Sequence, residues 1–285
     1  MQGDIRHKDA TAQLLKDIAF DVVVDFVAFT PEHIETDLAL FRGRTKQYIF
    51  ISSASAYQTP PLNWLTTEST PLRNPYWAYS QAKIACEERL MRASREEGFP
   101  VTIVRPSHTY DARSVPLDGG YTLLDRLRTG KKVVVHGDGT SLWTLTHHRD
   151  FAKGFVGLLG NVHALGEAIH ITSDEVLTWN QITDILANAL GVQAHIVHIP
   201  SKVIATYDEP WGDGLLGDKA HSMIFDNTKI KRLVPDYVAT IPFSQGAGEI
   251  IAWYARNPDA QKVDEQRNQL IDRMIAEYGS VNSNI

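Results

Sequence analysis

Gln47-Tyr48-Ile49-Phe50-Ile51 runs directly into Ser52-Ser53-Ala54-Ser55-Ala56-Tyr57, and this stretch decides the fold. The first five residues are short, aromatic and β-branched, and their apolar run is continuous rather than alternating. That suits a strand buried on both faces of a parallel sheet. Serines just past the carboxyl end of such a strand lie where open α/β sheets bind ligands. Outward from it, similar runs occur at Asp21-Val22-Val23-Val24-Asp25-Phe26, Val101-Thr102-Ile103-Val104 and Ala168-Ile169-His170-Ile171. Between the first two runs, Thr30 can cap a helix, Pro31 suits its first turn, and Ile34, Leu38 and Phe41 share one face before Gly43. A second helix is expected from Tyr79 to Glu97, stopped by Gly98 and Pro100. Strand-helix-strand order implies right-handed βαβ units and an α/β layered domain.

The rest of the chain sets bounds on class. The sequence has 285 residues, 43% hydrophobic and 22% charged, which are globular values. Its net charge of -6 offers no whole-chain attraction to nucleic acid or anionic membranes. Cys86 stands alone, so no internal disulfide forms. Met1-Gln2-Gly3-Asp4 has no apolar leader, and the run Val22 to Phe29 is too short for a bilayer. A cytoplasmic protein is therefore expected. The strand-helix regularity decays after about residue 173. The expected division is 1–172 as the main domain, 173–255 as a smaller lobe, and 256–285 as an exposed, frayed helical tail. Residues 107–135 can lean toward the lobe. The Pro200 to Asp226 stretch, with Gly212, Gly214 and Gly217, reads as loop-rich.

Tyr79-Ser80-Gln81-Ala82-Lys83 places a phenol and an ammonium four residues apart on one helix face. An unperturbed phenol ionises near pH 10 or so, and a neighbouring cation favours the phenolate. Such a pair can act as a general acid/base near neutrality. Tyr and Lys also meet at this spacing on many helices without chemistry. The serine cluster twenty-six residues upstream raises the specificity of the combination.

Ile49 to Tyr57, Thr67-Glu68-Ser69-Thr70-Pro71 and Pro75-Tyr76-Trp77-Ala78-Tyr79 with Lys83 resemble the catalytic core of extended short-chain dehydrogenases/reductases of the NAD-dependent epimerase/dehydratase kind. Ile103 to His108, Gly137-Asp138-Gly139-Thr140 and His147-His148-Arg149-Asp150-Phe151 are similar to further segments of that family. The resemblance implies a Rossmann-like parallel sheet with a smaller C-terminal substrate lobe. It implies NAD or NADP as cofactor and Ser53, Tyr79 and Lys83 as catalytic residues. Asp4, Ile5, Phe26, Ala28, Tyr79, Lys83, Pro106 and His108 are the implied cofactor contacts. The implied chemistry is oxidation or reduction at a C–OH/C=O centre of a small molecule, with a sugar or nucleotide sugar as one candidate. Ser53 would hold the substrate oxygen, Tyr79 would move its proton, and Lys83 would lower the tyrosine pKa. A homodimer is implied through helices near Pro31–Arg42 and Tyr79–Glu97, the second carrying Ile84, Leu90 and Met91.

Two departures qualify the resemblance. The family's glycine-rich turn, which lets backbone N–H groups cradle a diphosphate, has no counterpart here. The chain opens at Gly3-Asp4-Ile5-Arg6, similar to the segment after the family's third strand. An N-terminally truncated chain is therefore expected, with weak or absent cofactor binding and turnover dependent on the lacking segment. Leu142-Trp143-Thr144 stands where nucleotide-sugar members carry an arginine, which leaves the substrate open. The alternative is a non-catalytic or RNA-binding relative resembling chloroplast stem-loop-binding proteins, but the acidic balance and lack of an Arg/aromatic stripe oppose nucleic acid. No metal is expected: His147 and His148 lack a third ligand at suitable spacing, and Asp150 reads as a helix-starting carboxylate. Cys86 reads as a packing residue.

Overall fold

A computed structural model describes residues 2–282, with side chains through Tyr278. The strands of four or more residues are β1 (Phe20–Asp25), β2 (Thr45–Ile51), β3 (Val101–Pro106), β4 (Val133–His136), β5 (Ala168–Ile171) and β6 (Ile196–Ile199). The main sheet is fully parallel in the order β1-β2-β3-β5. All four of the expected strands are present. Tyr48 and Phe50 point to one face and Ile49 and Ile51 to the other, as a two-residue period requires. Each of the four residues contributes to a core, which is why the run is apolar without alternation.

Helices α1 (Lys8–Leu14), α2 (Pro31–Phe41) and α3 (Ala78–Glu97) come first in the chain. On one face of the sheet, Ile34, Leu38 and Phe41 of α2 and Cys86 and Leu90 of α3 pack on Tyr48, Phe50 and Ile103. Gly98 ends α3 in the left-handed region at φ 66°. Thr30 occupies the first cap of α2, but its side chain makes no capping bond, contrary to expectation. Leu90 is fully buried against the sheet, so of the three apolar residues assigned to a dimer face only Ile84 and Met91 keep some exposure.

Helices α4 (Tyr121–Arg128), α5 (His148–Leu158) and α6 (Trp179–Ala189) follow. Leu158 of α5 and Ile230 of α9 (Thr228–Leu233) cover the second face. Helix α4, β4, α6 and α10 (Phe243–Arg256) form a separate core around Trp143 and Trp179, and β4 pairs in parallel with β6. Two expectations fail here. Residues 201–219 are helical, as α7 (Ser201–Tyr207), α8 (Glu209–Gly214) and a π-turn at Leu215–Lys219, rather than loop. Helix α11 (Glu265–Asn282) is not an exposed tail: Ile271 and Met274 bury against Ile199, Ile204 and Leu215. The expected fraying at the extreme C-terminus falls on residues 283–285, outside those described. Among the described residues no helix is long and apolar enough to cross a membrane.

Candidate active site

The three catalytic candidates come from three neighbouring places at the carboxyl edge of the sheet. Ser53 follows β2 and accepts the N–H of Ser55, opening a single 3₁₀ turn over Ala54–Ala56. Its hydroxyl meets Ser55 Oγ at 2.8 Å, and Ser55 Oγ meets Ser80 Oγ of α3 at 2.7 Å. The serine cluster is thereby tied to the helix that carries Tyr79 and Lys83. The Ser53 hydroxyl is near enough to the Tyr79 phenol to hold its pKa down. Both line a cavity of about 240 Å³ with Trp77, Pro106, His108 and Phe225.

Asn74 closes this corner. Its amide donates to the Ser55 carbonyl at 2.9 Å and the Gly217 carbonyl at 2.6 Å, while its oxygen accepts the N–H groups of Tyr76 and Trp77. One buried side chain thus joins the serine turn, the start of α3 and the π-turn of the second lobe. It also satisfies donors at the α3 N-terminus, where Trp77 offers no side-chain cap.

Lys83 is buried, and its Nζ donates to Ala28 O at 2.7 Å and Ile51 O at 2.8 Å. Burial lowers its pKa to about 8, against the pull of Cys86, Asp25 and Glu87. The expected depression of the Tyr79 pKa by this lysine is not what the geometry gives. Burial raises Tyr79, the Ser53 hydroxyl opposes that rise, and Asp218 adds to it. The ammonium instead fastens the ends of β1 and β2 together.

The other cofactor candidates divide. Pro106 and His108 join the Tyr79 cavity. Burial, with a smaller effect from Lys219, lowers His108 to about 3, so its ring is neutral at physiological pH. Asp4 and Ile5 line a separate, open cavity of about 660 Å³ beside Val27 and Phe29 at the β1 edge. Phe26 does not join it; its ring packs against Phe155, 5.7 Å away. Ala28 is fully buried and serves Lys83 through its carbonyl. Among the described residues the turns after β1 and β2 hold no positive-φ glycine of the kind that a diphosphate cradle uses; the connection after β3 has two, Gly119 and Gly120, directly before α4.

Three structural residues escaped the sequence reading. Glu87, one turn beyond Lys83, accepts Ser52 Oγ at 2.5 Å and pairs with Arg105 at 2.6 Å. Arg105 in turn lies over the Tyr57 ring at 4.8 Å. The signal was a carboxylate continuing the Tyr79–Lys83 stripe and an arginine closing an apolar strand. Asn74 gave no signal, because its partners are far apart in sequence. His147 accepts the Arg149 N–H and meets Glu249 at 3.1 Å, and Asp150 accepts the N–H groups of Thr240 and Ile241. These anchor α5 to the second lobe. Among the described residues no three His, Cys, Asp or Glu side chains gather where a metal could bind.

Comparison with known proteins bears on family and fold. The 2'-dehydrokanamycin reductase of Streptomyces kanamyceticus is 26% identical over 80% of this chain and 65% of its own length. The chloroplast stem-loop binding protein of 41 kDa b from Arabidopsis thaliana is 26% identical over 71% of this chain and 51% of its own length. The chain thus spans between half and two thirds of these relatives. In the solved structures, DesIV, a dTDP-glucose 4,6-dehydratase from Streptomyces venezuelae with NAD and TYD bound, superposes with a TM-score of 0.72 at 22% identity, covering 90% of this chain and 79% of that one. That likeness establishes a shared fold. The family described as NAD dependent epimerase/dehydratase matches residues 1–172, more than half of the sequence, and the chain belongs to that family.

Proposed function

We propose that this protein interconverts an alcohol and a carbonyl on a small molecule, with a sugar the leading substrate class and NAD(P) as redox partner. The observation that carries the reading is the convergence of Ser53 and Tyr79 on one cleft at the sheet's carboxyl edge. Epimerases, dehydratases and reductases of this family all require such a centre, and the choice among them stays with substrate identity.

The residues around Tyr79 fit a nicotinamide-sized ring and a reacting carbon; the diphosphate part of a dinucleotide finds no cradle among the described residues. A bound nicotinamide would supply or take the hydride. Ser53 donates a hydrogen bond to the substrate oxygen, and Tyr79 gives or accepts the proton at that oxygen. With its pKa raised, Tyr79 rests as the neutral phenol, the form that donates a proton during carbonyl reduction. Lys83 acts by position, holding Ala28 and Ile51 so that the cleft wall keeps its shape.

The fold supports residues 121–136 as part of the substrate lobe, because α4 packs on α6 and β4 pairs with β6. A homodimer through α2 and α3, using Ile84 and Met91, remains our proposal, and light scattering at micromolar concentration tests it. An RNA-binding role finds no support in an acidic chain of net charge -6. Tyr79→Phe is the test of function. With any ketose, aldose or nucleotide sugar that supports NAD(P)H turnover, the variant should lose roughly 10²–10⁴-fold in kcat at unchanged melting temperature. Wild-type turnover by the variant would refute the assignment.

A further inference from the structure

Behind the Tyr79 cleft lies a second cavity, of about 300 Å³, sharing Trp77, His108 and Lys219 with it. Trp179 and Trp211 form two of its walls, and Leu117, Leu123 and Ile271 complete an apolar lining. This volume is near the lower end of ligand pockets, and the composition is that of a site using stacking with few polar contacts. Trp143 abuts the wall, its ring tilted against Trp179 at 5.2 Å and its Nε1–H donated to His108 Nδ1 at 3.4 Å.

Its charges are already engaged. The lining residues include only two formally charged groups, Asp118 and Lys219. Asp118 faces Arg267 at 3.4 Å, and Lys219 faces Asp218 at 3.8 Å while lying over the Trp77 ring at 5.5 Å. Burial holds His136 at a pKa of about 4 and His108 at about 3, so neither adds positive charge near neutral pH. A dianionic group entering here would meet one carboxylate, Asp118, and one lysine, Lys219, each of which already has a partner. Its desolvation would go uncompensated, at several kcal/mol per ion by general experience.

We infer that the substrate moiety taken by this cavity is uncharged and stacks on indole, and that a diphosphate-bearing substrate is excluded from it. The inference rests on the oxidoreductase reading only for its statement that the ligand is the substrate. Binding itself is measured without cofactor or turnover.

The test uses the 285-residue protein, tryptophan fluorescence and calorimetry, with 4-nitrophenyl β-D-glucopyranoside, UDP-glucose and UDP as probes. The glucoside should bind at least about tenfold more tightly than either uridine compound, and its affinity should change less than about twofold from low to high salt. Trp211→Ala, at a partly exposed wall, should weaken the glucoside at least about fivefold, as loss of a stacking face predicts. A salt-insensitive affinity in the wild type keeps the proposal testable if that variant fails to fold. UDP-glucose binding equal to or tighter than the glucoside would overturn the inference, and so would failure of the glucoside to bind. If Tyr79→Phe abolishes turnover while UDP-glucose binds tightly, the substrate class is wrong and the oxidoreductase reading stands. If the glucoside binds as expected but Tyr79→Phe is fully active, the class stands and the catalytic assignment falls.

Discussion

The two ends of the sheet's carboxyl edge differ in closure. At β2 and β3, Ser53, Ser55 and Ser80 form one hydroxyl chain, Asn74 ties three segments, and Glu87 with Arg105 fixes the floor. At β1, Phe26, Val27 and Phe29 are each more than two fifths exposed, and the cavity beside Asp4 is open. The segments around Ser53 and Tyr79, which we propose move the proton, are locked by buried polar contacts. The β1 end has walls but, among the described residues, no glycine turn to cradle a diphosphate. The largest expected effect follows from this contrast. With no positive-φ glycine turn after β1 or β2 among the described residues to supply several charge-assisted hydrogen bonds of roughly 1.5–3 kcal/mol each, NADH should bind more than about a thousandfold more weakly than to a site that has such a cradle, since about 5 kcal/mol suffices for that. Calorimetric titration measures it, and a low-micromolar dissociation constant would erase the distinction between the two ends.

A second prediction concerns the closed end alone. Arg105 and Glu87 are both buried, and Arg105 is held strongly cationic by the carboxylate despite its burial. Glu87→Ala leaves that cation uncompensated and should cost about 3–5 kcal/mol of stability. The Lys46–Asp21 pair at the β1 edge, at 2.8 Å but exposed on both sides, gives the control: Asp21→Ala should leave the urea midpoint unchanged within error. Equal effects from the two variants would show that the floor of the cleft is no more ordered than the rim.

The same contrast explains what the sequence disclosed. The parallel sheet was legible because Tyr48 to Ile51 must be apolar on both faces, and few other folds ask for that. Ser53, Tyr79 and Lys83 were legible because the strand end and a helical repeat of four place them. The partners of Lys83 were hidden, since they are the carbonyls of Ala28 and Ile51, and any residue has a carbonyl. The helices over 201–219 were obscured by Gly212, Gly214 and Gly217. Tertiary contact explains two of them: a Cβ at Gly212 would come within 2.3 Å of Ala205 Cβ, and one at Gly217 within 2.7 Å of Trp77 Cβ. Close packing, rather than turn formation, is what those two glycines serve. The docking of α11 through Ile271 and Met274 was not foreseen, because a charged helix with one apolar stripe looks the same in solvent or docked.

The smallest predicted effect lies where the two ends join. Tyr48 Oη is 2.5 Å from Asp37 Oδ2 and 3.0 Å from Asp25 Oδ2. A phenol has one proton, so it can donate to one carboxylate only; the second contact needs a protonated acid. Asp37 is that acid: burial first, then Asp25, raises its pKa to about 8. Asp25 stays ionised, helped against its own desolvation by Asp37, by Tyr48 and by the N–H groups of Val27 and Ala28, at 2.6 and 2.8 Å. The chain therefore runs from the Asp37 hydroxyl to Tyr48, to Asp25, and on to the loop whose Ala28 carbonyl receives Lys83. A carboxyl whose pKa is raised on folding stabilises fully below its ordinary pKa, and that contribution is lost as pH rises through about 8. Asp37→Asn replaces the acid by an amide that can donate to Tyr48 at every pH. The stability of the variant relative to the wild type should therefore increase from pH 5 to 8, at up to about 1.4 kcal/mol per pH unit, the linkage slope for one proton. Histidines held low by burial titrate alike in both proteins and cancel from the difference. Urea denaturation at several pH values in that range provides the measurement. A difference that does not vary with pH would mean that Asp37 carries no proton in the folded protein and that Tyr48 serves it alone.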